Sequence, residues 1–168
     1  MTVKFYSSWW ILGVTMFGLA ASPVAAANPS KLDDFEATTI EGAKVHGVDW
    51  HGQIVVINFW ATWCLPCRVE MPAFDTWYAA YRSDGVQLIA VSMDTPAKTK
   101  AVRSIASGFH FPVAMFRDAK IPGAWKPSSL PVTLVFDRAG VLRFDSRLAP
   151  GTLDVAALER ITAPLIRH

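Results

Sequence analysis

Apolar residues follow three rhythms along this chain, and each predicts a different kind of element. Gln53–Trp60 (QIVVINFW) and Val86–Ser92 (VQLIAVS) are continuous runs rich in β-branched residues, the pattern of strands covered on both faces of a sheet. Between them, Cys67–Arg82 places Val69, Phe74, Trp77, Tyr78 and Tyr81 at helical spacing. The spacing continues past Pro72, so the proline is expected to kink this amphipathic helix rather than end it. Pro96–Ser107 predicts a second helix, closed by Gly108, and Phe111–Phe116 a short extra strand. Val132–Asp137 and Val141–Ser146 flank Arg138-Ala139-Gly140, a hairpin signal. Thr39–His46, with Glu41-Gly42 inside it, predicts another hairpin near the start of the domain. Thr152 is placed to cap a last helix running to about Ile166, its end weakened by Pro164. Parallel strands joined through helices and finished by an antiparallel hairpin make a mixed α/β sandwich.

The third rhythm precedes all of these. Lys4 is the only charged side chain before a run, Phe5 to Ser30, that has none. Within it, Trp9–Ala21 (WWILGVTMFGLAA) is a 13-residue apolar stretch, broken by Ser22-Pro23 and followed by Val24-Ala25-Ala26-Ala27. A basic start, a short apolar helix and small residues at a cleavage point form the pattern of a secretory signal. The apolar stretch falls short of the roughly 20 residues a spanning helix needs. Counted outward, Phe5–Ala27 reaches 23 residues, so the alternative is an uncleaved membrane anchor. Residues 1–27 are therefore read as a signal cut after Ala27, and residues 28–168 as one domain of an exported protein.

Composition narrows the picture by exclusion. At 52% hydrophobic positions the chain is not disordered, and two cysteines are too few for a disulfide-stapled miniprotein. Sixteen basic against 14 acidic residues, a formal +2, is too balanced for a nucleic-acid binder.

Those two cysteines stand where chemistry is expected. Trp63-Cys64-Leu65-Pro66-Cys67-Arg68 follows the first buried strand and opens the long helix. Two intervening residues put Cys67 one turn beyond Cys64, so a disulfide can close and reopen with little backbone movement. Cys64 falls at the helix N-terminus, where unpaired N–H groups and the helix dipole favour an anion. That lowers the thiol pKa and stabilises the thiolate, the species that attacks disulfides. Cys67 is then the resolving thiol. Competing readings are a structural disulfide, a zinc site and a pair of inert buried thiols. A disulfide over so short a loop would restrain little chain, about 2 kcal/mol. A zinc site needs four ligands, and His46 and His51, the nearest supplements, lie in a separate segment.

The segment Asn58-Phe59-Trp60-Ala61-Thr62-Trp63-Cys64-Leu65-Pro66-Cys67-Arg68 resembles the active site of thioredoxin-fold proteins, and is most similar to the TlpA/ResA-like thiol–disulfide reductases of the bacterial periplasm and extracytoplasmic face. The resemblance spans roughly residues 30 to 165. Pro72 matches the helix-kinking proline of that fold, and Glu70 the acidic residue the ResA-like branch carries three positions after its second cysteine. Ser92–Phe116 is similar to the helix-and-strand insertion that separates the group from plain thioredoxin. Leu130-Pro131-Val132-Thr133-Leu134-Val135-Phe136-Asp137 resembles the strand that begins with a cis-proline lying against the cysteine pair. The implied fold is a thioredoxin-like sandwich with an N-terminal β-hairpin and a helix–strand insertion after the second core strand.

The resemblance also implies roles. Without it, Pro131 is a proline tolerated at a strand's first residue, and Glu70 a solvated helix carboxylate. With it, cis-Pro131 exposes the Leu130 backbone for β-type pairing with a partner, and Glu70 accepts the proton of the resolving thiol. Asn58 departs from thioredoxins, which carry a buried Asp there; Asn cannot accept a proton, so the acid–base task moves to Glu70. Trp60 is expected in the core, and Trp63 over the disulfide, where with Pro66 and the Leu130–Pro131 loop it forms the docking surface. His110 and His168 have no partner spacing.

Leu65-Pro66 resembles the dipeptide of reductases more than that of strong oxidases, which carry a His there. The expected activity is reduction of disulfides in exported partners, which in the family are apocytochrome c or copper-site proteins of respiratory complexes. Electrons would come from a membrane-bound donor, with no cofactor and no metal. A thiol peroxidase is one alternative, but the segment before Cys64 has Asn58 and no proline where peroxiredoxins need one. A copper-carrying chaperone is the other, and no Met or His adjoins the pair in sequence.

Overall fold

The two continuous apolar runs pair as parallel neighbours at the centre of one sheet. This computed structural model describes residues 31–149 and 151–167, with the first two residues; the expected signal segment lies outside the described residues. In chain order the elements are β1 (Glu36–Thr39), β2 (Lys44–His46), β3 (Ile54–Trp60), α1 (Leu65–Tyr81), β4 (Val86–Ser92), α2 (Thr99–Ala106), β5 (Val113–Lys120), β6 (Val132–Phe136), β7 (Leu142–Asp145) and α3 (Val155–Ile166). The seven strands lie in the order β2-β1-β5-β4-β3-β6-β7. β3 runs parallel to β4 from Ile54↔Val86 to Trp60↔Ser92, and antiparallel to β6. The architecture is the expected thioredoxin-like mixed sheet, with α1, α2 and α3 packed on one face and 3-10 turns carrying Leu32, Trp50 and Trp125 on the other.

Burial on both sides explains why β3 has no polar alternation: all seven of its residues are buried. Ile54, Val56 and Trp60 pack with Phe74 and Trp77 of α1 and Leu158 of α3. Val55, Ile57 and Phe59 face the other way, onto Leu32, Phe35, Trp50 and Trp125. Asn58, on the α1 side, is the one polar residue of the strand. The buried stripe of α1 is Cys67, Glu70, Met71, Phe74, Trp77 and Tyr78, and the helix runs uninterrupted through Pro72. Gly85, at φ +78°, supplies the left-handed residue that turns the chain from α1 into β4. Gly47 answers a different need: a Cβ there would stand 1.8 Å from the Leu32 carbonyl oxygen.

Several boundaries differ from expectation, each for a local reason. The first hairpin begins at Glu36 rather than Thr39, because Glu36, Ala37 and Thr38 pair with His46, Val45 and Lys44; Thr39 ends β1, its carbonyl accepting the Gly42 N–H and its Oγ1 the Ala43 N–H. β5 starts after Phe111, whose ring stacks on Phe109 and meets Tyr78 edge-on, and runs on to Lys120 because β1 pairs with its far end. The segment from Pro96 opens as a 3-10 turn, and only Thr99–Ala106 is α-helical. The cap of α3 is Asp154, whose Oδ1 accepts the Ala157 N–H at 2.7 Å, and not Thr152. Among the described residues no helix is long and apolar enough to cross a membrane.

Candidate active site

β3 leaves the sheet at Trp60, and a four-residue turn carries the chain into α1. Cys64 is the N-cap of that helix, its Sγ 3.2 Å from the Cys67 N–H, and the two cysteines are joined by a disulfide. Pro66 sits in the first helical turn, where an N–H has no intrahelical partner. Cys67 is 1% exposed and Cys64 only 4%. Around them the surface is apolar: Trp63 and Leu65 are each 70% exposed and Val69 64%, with Pro66 between. An isolated exposed Leu is ordinary, but here three large apolar side chains stand exposed within seven positions that include both cysteines.

The second wall comes from β6. Its Val132 pairs with Phe59, which sets the preceding loop beside the exit of β3. The Leu130–Pro131 peptide is cis. Between this loop and the cysteine turn lies a groove of about 240 Å³, lined by Trp63, Met93, Pro127, Ser128, Ser129 and Leu130. Met93 has no counterpart in the sequence reading, because it lies beyond the end of β4, some thirty positions from the cysteines.

Glu70 lies one turn beyond Cys67 on the inward face of α1 and is 4% exposed, which corrects the picture of a solvated helix carboxylate. Its Oε1 accepts the Leu153 N–H at 2.9 Å, and its Oε2 makes no hydrogen bond among the described residues. Burial pushes the carboxyl pKa above its ordinary value, against the opposing pull of the Leu153 N–H. The side chain lines a cleft of about 480 Å³ with Pro131, Thr133, Ser146, Arg147 and Leu153. Thr133 links this cleft to the central strand, its Oγ1 accepting from the Asn58 amide at 3.0 Å. Glu70 and Pro131 thus share one cleft, and Trp63 and Leu130 share the neighbouring groove.

Asp94, just past β4, is a buried carboxylate that the sequence reading missed. Its two oxygens accept from the Thr62 N–H (2.7 Å), the Thr62 hydroxyl (2.7 Å) and the Ser92 hydroxyl (2.9 Å). The available signal was a Ser-x-Asp at the end of a buried strand, level with a Thr at the end of its neighbour. The histidines are engaged elsewhere: His51 with Asp33, His110 with Asp75, and His46 near Glu36. Among the described residues no three His, Cys, Asp or Glu side chains group as a metal site.

Comparison with known proteins agrees with this arrangement. The AhpC/TSA family pattern matches residues 30–145. The thiol-disulfide oxidoreductase ResA of Geobacillus kaustophilus (strain HTA426) is 29% identical over 89% of this chain and 84% of its own length. The ResA of Geobacillus thermodenitrificans (strain NG80-2) is 30% identical over 84% and 80%. A solved structure from Chlorobium tepidum, assigned as a thiol:disulfide interchange protein DsbE, superposes with a TM-score of 0.66 at 26% identity, covering 82% of this chain and 96% of that one. The chain belongs to the AhpC/TSA family and, within it, to the ResA-like thiol–disulfide oxidoreductases, with Cys64 and Cys67 as its CxxC pair.

Proposed function

We propose that the protein works as a reductase outside the cytoplasm, with Cys64 as nucleophile and Cys67 as resolving thiol. The Cys64 thiolate attacks one sulfur of a partner's disulfide; a Cys64–partner bond forms, and the partner's other sulfur leaves as a thiolate. Cys67 then gives up its proton and attacks Cys64, which closes the internal disulfide and releases the second partner thiol. Two electrons pass to the partner, and a membrane-bound donor restores the dithiol. Glu70 receives the Cys67 proton at its buried Oε2 through the adjoining cleft. The partner lies across Trp63, Pro66 and the Leu130–Pro131 loop.

The observation that carries the direction is how lightly Cys64 is stabilised. Its sulfur caps the helix and meets one N–H, that of Cys67. Leu65 and Pro66 add neither donor nor cation, so the thiolate is favoured only moderately and the dithiol remains a good electron source. The expected partners are exported proteins whose cysteines must be reduced before they take haem or copper, as in maturation of cytochrome c or of respiratory copper sites. The N-terminal 27 residues would export the domain to the periplasm or tether it there.

A Cys67→Ala variant tests the reading, because the Cys64–partner bond can then form and cannot be resolved. Expressed in its native host, it should accumulate mixed disulfides whose partners, identified by mass spectrometry, are exported proteins. Adducts confined to cytoplasmic proteins would contradict it.

A further inference from the structure

The β3–β4 ladder ends at Trp60↔Ser92, where the two chains part. β3 must turn so that Cys64 reaches the start of α1, while β4 continues toward Pro96. One backbone bond crosses the gap, from the Met93 N–H to the Trp60 carbonyl at 2.8 Å. The next donor along, the Thr62 N–H, is met by the Asp94 carboxylate, which also takes the Thr62 hydroxyl through its other oxygen. The Ser92 hydroxyl completes the set. Asp94 is 7% exposed, and no Lys or Arg among the described residues forms an ion pair with it. A buried carboxylate held only by neutral donors is a costly choice unless its acceptor capacity is needed. An Asn in its place would turn an NH₂ toward one of three donors.

We infer that Asp94 is the positioning residue of the redox pair: by gripping Thr62 at both its amide and its hydroxyl, it fixes where Cys64 and Trp63 stand at the head of α1. Inside the turn, the Cys64 N–H bonds the Ala61 carbonyl at 3.1 Å. The turn is therefore held from within by its own backbone and from outside by Asp94. Met93, adjacent to Asp94, faces Trp63 across the groove, so the same clamp sets the groove's width. Two effects of opposite sign follow. Seating Cys64 at the helix cap favours its thiolate, whereas a nearby anion disfavours it. The clamp assigns the larger share to seating.

The test follows alkylation of Cys64 by iodoacetamide against pH in the reduced full chain, beside kcat and KM for disulfide reduction. Circular dichroism confirms folding of each variant. Asp94→Ala should raise the pH midpoint of alkylation, so that the thiolate population below it falls about fivefold to tenfold, the size of a lost helix cap. kcat should fall in step with little change in KM. Thr62→Val, which removes one of the clamp's bonds, should shift the midpoint less in the same direction, and Thr62→Ser should restore it. An unchanged midpoint and kcat in folded Asp94→Ala would make the contact merely structural and overturn the inference. A lowered midpoint would overturn it too, since charge would then outweigh seating. If Asp94→Ala fails to fold, the Thr62 pair decides: a Thr62→Val profile identical to wild type contradicts the clamp.

Discussion

Reducing the Cys64–Cys67 bond should destabilise the domain, by an amount that follows from the size of the loop it closes. The cysteines are three positions apart, so the bond encloses four residues. On the chain-entropy relation such a cross-link removes about 2 kcal/mol of freedom from the unfolded state. Against this, the reduced fold gains by seating the Cys64 thiolate at the helix N-terminus, worth about 0.3–1 kcal/mol. The oxidised form should therefore be the more stable by about 1–2 kcal/mol. With a urea dependence of about 2 kcal/mol per molar, the middle of the range for small domains, the unfolding midpoint should fall by about 0.5–1 M on reduction. By the thermodynamic cycle, this same difference places the folded pair's potential about 20–40 mV below that of the unfolded chain. The assay is urea unfolding of oxidised and dithiothreitol-reduced protein, followed by far-ultraviolet circular dichroism so that redox quenching of tryptophan does not intrude. A reduced form more stable than the oxidised one would refute the reasoning, since that is the signature of a disulfide donor.

Glu70→Gln should lower turnover by about a hundredfold if the carboxylate takes the Cys67 proton, and should flatten the pH–rate profile on its acidic side. Stability gives a second readout with a definite sign. Burial holds the folded carboxyl above its ordinary value of 4.5, so its contribution is fully present below about pH 4.5 and lost as pH rises through the folded value. Stability of the oxidised variant relative to wild type should therefore increase from pH 4 to pH 8 in urea unfolding, and a constant gap would contradict the assignment. Trp63, exposed beside the disulfide, should change fluorescence between redox forms, and Trp63→Ala should raise KM for protein disulfides several-fold while leaving a small disulfide reagent unaffected. Gly47→Ala would press a methyl to 1.8 Å from a backbone oxygen and should cost about 1–3 kcal/mol or more in urea unfolding, without changing the reduction potential.

What the sequence made legible and what it hid divide along the range of the interactions involved. β3, β4 and α1 show in their own periodicity, because burial of a strand on both faces or of one helix stripe is a local property. Cys64 and Cys67 were legible for the same reason, their spacing and their place at a strand-to-helix junction being neighbouring facts. The burial of Glu70 depends on Leu153, 83 positions away, whose N–H it accepts. Nothing near residue 70 announces that partner. Asp94 acts on Thr62 across 32 positions, and Asn58 on Thr133 across 75. The length of β5 is set by β1, whose Glu36 lies 84 positions from the Lys120 it pairs with. The α3 cap was misplaced for a local reason instead: Thr152 and Asp154 are both good caps, and only Asp154 reaches the Ala157 N–H.

The central claim, that this dithiol gives electrons to its partners, is tested most directly by the reduction potential of the Cys64–Cys67 pair. It is obtained by equilibrating the protein with reduced and oxidised glutathione and quantifying both forms after an acid quench. The lightly stabilised Cys64 thiolate and the short-loop disulfide predict a value in the reducing range, about −200 to −270 mV. A value near −120 mV, typical of thiol pairs that donate disulfides, would contradict the account.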